Sequence, residues 1–135
     1  MASFNKFNSF VEAVAEKAHN LGSDQLVVAL TNTAPTAANT QLSDITEISY
    51  TNLSSRNITT GTSAQTSGTY KLVLTDLVLT ASGSVGPFRY VAIYNDTSTG
   101  DLLIGWYDYG SAITLLTSET LTVDFDGSAG VLTIA

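Results

Sequence analysis

The chain has no cysteine, one histidine, one tryptophan, one methionine and two prolines among its 135 residues. Without cysteine it can build neither a disulfide framework nor a thiolate metal site. A single histidine leaves no Cys/His metal cluster and no Cys–His nucleophilic pair. Positive charge is scarce as well: 5 Lys+Arg stand against 12 Asp+Glu, a net charge of −7. A surface of that sign repels phosphate backbones and anionic membranes, so neither nucleic acid nor membrane is expected as a partner. Charged residues of both signs make up only 13% of the chain, about half the usual share of ~25%. No apolar run approaches the ~20 residues that cross a bilayer; the densest is Leu26 to Leu30. The N-terminus has no basic region ahead of an apolar core, so no secretory signal is expected. The sequons at Asn52, Asn57 and Asn95 then read as accidents of an Asn- and Thr-rich chain.

Ser, Thr and Asn supply the polar groups instead. Thr is β-branched and suits extended structure, and a neutral polar surface meets other proteins with little charge to desolvate. At this length one domain is expected, with about two-thirds of the unfolded surface buried.

The stretch Gly86 to Gly110 organises the rest. It reads as two strands, Phe88 to Tyr94 and Leu102 to Tyr109, joined by a polar turn that starts at Asn95. By strict alternation Phe88, Tyr90, Ala92 and Tyr94 share one face, opposite Val91 and Ile93. Leu102, Ile104 and Trp106 likewise oppose Leu103, Tyr107 and Tyr109. Apolar residues on both faces place this hairpin at the centre of a covered sheet, or give it one face as an interface.

The N-terminal segment carries the chain's one helical pattern. Phe4, Phe7, Val11, Val14, Ala18 and Leu21 recur at spacings of three and four. Ser3 or Ser9 can cap the start, Ser9-x-x-Glu12 fits a capping box, and Gly22 suits a left-handed stop. His19 would then lie in the last turn, where its charge favours the helix C-terminus.

From Asp24 on, the pattern is strands. Gln25 to Asn32 is a buried strand and Ile45 to Tyr50 a short one. Thr51 to Gly68 is a loop or edge strand. In Thr69 to Leu79 the alternation changes phase at Thr75-Asp76, which marks a bulge or a corner between sheets. Ala112 to Leu116, Thr120 to Asp126 and Val131 to Ile134 complete the set. The expected fold is all-β: a single β-sandwich, jelly-roll-like, with one N-terminal amphipathic helix. Residues 1–22 form the helix and a contact arm, and 23–135 the sandwich.

Reactive constellations are few. A Ser-His-Asp triad would need His19 and has no G-x-S-x-G elbow. Asp124 and Asp126 match a fragment of a calcium loop that lacks the other ligand positions, and solvated edge charges explain them better. Asp96, Asp101 and Asp108 flank the hairpin and could hold a cation, although turn chemistry accounts for the first two. No metal and no cofactor is expected, and no enzymatic activity. Trp106, Tyr107 and Tyr109, with Tyr90 and Tyr94, would form a sugar platform or an interface hot spot if exposed together. Arg89 either pairs with a neighbouring Asp or reaches an acidic partner.

The blocks VALTNTAP (Val28 to Pro35), LSDITEI (Leu42 to Ile48), SAQTSGTYKLVLTD (Ser63 to Asp76), GPFRYVAIYND (Gly86 to Asp96), LIGWYDYG (Leu103 to Gly110), ETLTVDFD (from Glu119) and GVLTIA (to Ala135) span nearly the whole chain. Together they resemble small virion structural proteins of tailed bacteriophages, of the head decoration, or cement, type. That resemblance implies a protein made in the bacterial host cytoplasm and carried on the outer surface of the capsid. Its partners would be the phage major capsid protein and itself, with a homodimer favoured and a homotrimer the rival. Contacts are expected from Phe4, Phe7, Val11 and Val14 on the helix, and from Arg89, Trp106, Tyr107 and Tyr109 on the hairpin. Deleting 1–22 should then release the protein from heads and leave the sandwich folded. The alternative is a tail- or fibre-associated module that recognises host surface glycans through Trp106 and the tyrosines.

Overall fold

The computed structural model describes residues 2–135. The protein is mostly β, with antiparallel sheets, one short helix and no closed barrel among the described residues. The largest sheet has five strands: β1 (Phe4–Lys6), β2 (Leu26–Thr31), β3 (Asn57–Ile58), β7 (Val85–Asn95) and β8 (Leu102–Leu115). Their order is β1-β8-β7-β2-β3. A second sheet, β10-β5-β4, is built from β4 (Thr60–Thr66), β5 (Thr69–Leu74) and β10 (Leu132–Ile134). A third pairs β6 (Leu77–Thr80) with β9 (Thr120–Val123). The strands are thus split into three sheets.

The phase change at Thr75-Asp76 is the corner between two of these sheets. β5 ends at Leu74 in one and β6 begins at Leu77 in the other. Asp76 secures the corner, its Oδ1 accepting the Phe125 N–H at 2.9 Å. The main core lies between the five-stranded sheet (Val28, Leu30, Val91, Ile93) and the two smaller ones (Leu72, Leu74, Leu79, Val123).

The five-stranded sheet is covered on its other face too. Phe7, Val27, Ala29, Ala92, Tyr94 and Leu103 pack there beneath Ile45 and Leu42 of the long polar connection after β2. The double cover expected for the hairpin is present, but the facing of its residues is not the strict alternation. Ile93 opposes Gly105 while Tyr94 opposes Leu103, so Ile104 is an extra residue in β8. That bulge puts Leu103 and Trp106 on one face and Ile104, Tyr107 and Tyr109 on the other. A second irregularity, between Phe88 and Tyr90, turns Phe88 onto the face of Val91.

The N-terminal helix is far shorter than its apolar stripe. Only Ser9–Ala15 form α1, while Phe4–Lys6 are strand β1, paired with Gly105–Tyr107 of β8. A helix would put Phe4 and Phe7 on one face. Extended backbone puts them on opposite faces, and here both faces are apolar: Phe4 reaches the main core and Phe7 the second one. Asn8, not Ser3 or Ser9, is the N-cap, and it makes no side-chain capping bond. The left-handed residue after the helix is Lys17 (φ 67°) rather than Gly22. Residues 4–7 are therefore built into the sheet, and removing 1–22 would strip an edge strand and two core phenylalanines, Phe7 and Phe10.

Two other segments depart from expectation. Ile45 to Tyr50 is not a strand; it keeps a single bridge, Glu47 to Thr31. Ala112 to Leu115 is the end of β8, not a separate strand. Thr51 to Gly68 contributes β3 and β4, the latter an edge strand exposed along most of its length.

Candidate functional site

The eight residues expected to make contacts do not form one surface. Phe7 and Tyr107 are buried. Phe7 stacks on Trp106 with ring centroids 4.6 Å apart, and Phe4 meets Tyr107 edge-on at 5.5 Å. Alternation along β8 keeps Trp106 on the opposite face from Tyr107 and Tyr109, so the tyrosines and the tryptophan form no common platform. Burial raises the Tyr107 and Tyr109 hydroxyl pKa values, with nearby carboxylates adding to the shift. Arg89 is committed to Asp108, its Nε donating to Oδ1 at 2.7 Å and its Nη2 to Oδ2 at 2.9 Å. The bond to Arg89, helped by the Gly110 N–H, holds the Asp108 carboxyl below its usual range. Of the two alternatives for Arg89, the intramolecular pair is the one formed.

Asp126 is a turn residue, with Oδ1 accepting the Ser128 and Ala129 N–H groups at 2.9 and 2.7 Å. Among the described residues no group of three or more His, Cys, Asp or Glu side chains is placed to hold a metal ion. No helix among them is long and apolar enough to cross a membrane.

His19 lies beyond the helix rather than in its last turn, and it is buried. Asn95 Nδ2 donates to Asp24 Oδ2 at 2.6 Å and lies 3.0 Å from His19 Nδ1. Asn95 Oδ1 accepts the Thr97 and Ser98 N–H groups, so this side chain folds the hairpin turn and ties it to the segment after α1. An asparagine so enclosed is no glycosylation acceptor. With Nδ1 accepting, the proton sits on Nε2, which is buried without a partner. Burial lowers the His19 pKa, against a raising influence from Asp24.

Arg56 and Tyr50 stand in for a missing strand at the outer edge of β2. Arg56 Nη1 donates to the Val28 carbonyl at 2.6 Å, and the Leu30 N–H donates to the Tyr50 hydroxyl at 2.9 Å. The guanidinium lies 3.7 Å from the centre of the Tyr50 ring, and the Tyr50 hydroxyl donates to Glu47 at 2.7 Å. Side chains thus satisfy backbone groups that an open edge would offer to another chain. Sequence patterning offered no signal for this plug, because it rests on contacts between distant loops.

The accessible apolar surface is elsewhere. Among the described residues four large apolar side chains are exposed: Val11 (56%), Val78 (52%), Leu116 (57%) and Ile134 (45%). Val11 and Ile134 line a groove of about 420 Å³ between α1 and β10, walled by Phe10, Val14 and Leu132, with Lys6 at its rim. Of the expected contact residues, Val11 and Val14 belong to it. Val78 lies on the outer side of the β6–β9 ribbon, opposite Thr122. Leu116 lies at the ribbon's end, where Glu119 Oε2 accepts its N–H at 2.8 Å. No family model, no curated protein and no solved structure matches the chain.

Proposed function

We propose that this protein is a non-enzymatic component of a tailed-bacteriophage virion, a decoration or cement protein. It binds the outside of the head and bridges neighbouring major capsid protein subunits as a homo-oligomer. The sequence blocks that resemble such proteins suggest the family. The observation that carries the functional reading is the gathering of exposed apolar side chains at the α1–β10 groove and the β6–β9 ribbon. Only 13% of the chain's residues are charged, which keeps the desolvation cost of contacting protein low. Repeated over a symmetric shell, weak contacts of this kind sum to strong retention. The finer architecture that goes with this reading is a jelly-roll-like sandwich, with the five-stranded sheet as one layer and the two smaller sheets as the other.

Quantitative mass spectrometry of purified virions tests the proposal. Copies in the hundreds support a head protein; a dozen or fewer would overturn it in favour of the tail. The tail-side glycan reading keeps a narrower footing in the cleft lined by Asp108, Tyr109, Thr122 and Asp124. Glycan-array binding lost on Tyr109→Ala, with the fold intact, would favour it.

A further inference from the structure

The two exposed apolar patches differ in charge. The chain's only lysines are Lys6, Lys17 and Lys71, and the first two flank the α1–β10 groove. Lys6 lines the groove itself, and Lys17 lines the hollow that adjoins it and shares Val14 and Ile134. Lys71, opposite Thr133 of β10, is on the other face of that sheet from Leu132 and Ile134, and its Nζ donates to the Ser128 carbonyl at 2.9 Å. None of the three has a carboxylate partner among the described residues, whereas both arginines do. Glu12 of α1 and its C-cap Glu16 are exposed and do not line the groove. The β6–β9 ribbon is the reverse. Asp76, Val78, Thr122 and Asp124 are exposed on its outer side, and Glu119 lies beside Leu116.

We infer that the occupant of the groove flanked by Lys6 and Lys17 is the acidic β6–β9 ribbon of a second copy of this chain. Each copy then carries one donor and one acceptor patch, and the contact is head-to-tail. Charge decides between this and a pairing of like patches. Groove against groove would set lysines against lysines, and ribbon against ribbon would oppose Asp76 and Asp124 to themselves. Groove against ribbon sets Val11 and Ile134 against Val78 and Leu116 within a frame of opposite charges. A head-to-tail contact closes into a ring or runs on as a filament, which favours a cyclic oligomer over the two-fold dimer. The inference concerns copies in solution, so it stands or falls apart from capsid binding.

The test uses the full chain and two variants at exposed positions, each checked for folding by circular dichroism. Ile134→Asp blocks the groove and Val78→Lys blocks the ribbon. Analytical ultracentrifugation over a concentration series should show the parent chain self-associating, less so as salt rises. Each variant alone should remain a monomer, and an equimolar mixture should form a species of two chains and no larger. That mixture retains one intact groove–ribbon pair, a result that pairing of groove with groove or ribbon with ribbon cannot give. Val11→Asp in place of Ile134→Asp should behave the same way. A parent chain that stays monomeric at millimolar concentration, a mixture that stays monomeric, or a variant that still self-associates would each overturn the proposal.

Discussion

Truncating Phe7 to alanine is the sharpest probe of the N-terminal segment. As part of a detachable helix, Phe7 would matter to a partner and little to the fold. In the structure its side chain is 0% exposed, stacks on Trp106 at 4.6 Å, and its N–H bonds the Ile104 carbonyl. A buried Phe→Ala change costs about 3–5 kcal/mol, because the neighbours only partly fill the cavity. Part of that is the aromatic pair itself, about 0.5–1.5 kcal/mol. Against a net stability of ~5–15 kcal/mol for an ordinary domain, the loss is a large fraction of the whole. In urea, with a slope near 2 kcal/mol/M, the unfolding midpoint should fall by about 2 M. Val11→Ala, four residues on and exposed, should change stability by no more than about 0.5 kcal/mol. The two positions are equivalent on the helical stripe and opposites in the fold. If Phe7→Ala costs less than about 1 kcal/mol, or no more than Val11→Ala, the placement of residues 4–7 in the sheet is wrong.

Other perturbations separate the remaining parts of the structure. The His19 pKa is lowered on folding, so near neutrality the unfolded chain binds more protons than the folded one. Stability is therefore full above the unfolded value of about 6.5 and falls as pH drops from there through the folded value; His19→Gln should flatten that limb in pH-dependent denaturation. Arg56→Met leaves the Val28 carbonyl without its side-chain donor. It should cost about 1–3 kcal/mol and speed amide exchange around Ile48 and Leu30, and Arg56→Lys should not restore it. Gly105→Ala would push a methyl group into the Phe4 ring and to within 2.7 Å of the Asn5 carbonyl oxygen. It should cost about 1–3 kcal/mol and shift the fluorescence of Trp106, which opposes Asn5 across β1 and β8.

Much of the fold was legible in local patterning. The hairpin, its turn at Asn95 and its two covered faces could be read directly. So could the corner at Thr75-Asp76, because a one-residue slip in apolar phase has few other causes. The bulge at Ile104 was not legible. A period of two assumes constant phase, and in a strand apolar on both faces a slip leaves no trace in the sequence. The same ambiguity hid β1: the spacing of Phe4 and Phe7 fits one helix face or two faces of a doubly covered strand, and only pairing with distant β8 decides. β4 carried no alternation, since most of its side chains are exposed. The exposed apolar surface was half legible. Val11 and Val14 were on the stripe, but Ile134, Val78 and Leu116 lie far away in sequence, and topology alone shows which of them share a patch with Lys6 and Lys17.

Where this protein sits is measured most directly by a reconstruction of the purified virion. The expected result is density for this fold on the outer face of the head, at repeated symmetry positions, with its apolar patches in contact with neighbouring copies or capsid subunits. Density inside the shell against the genome, or at a single vertex, would contradict it.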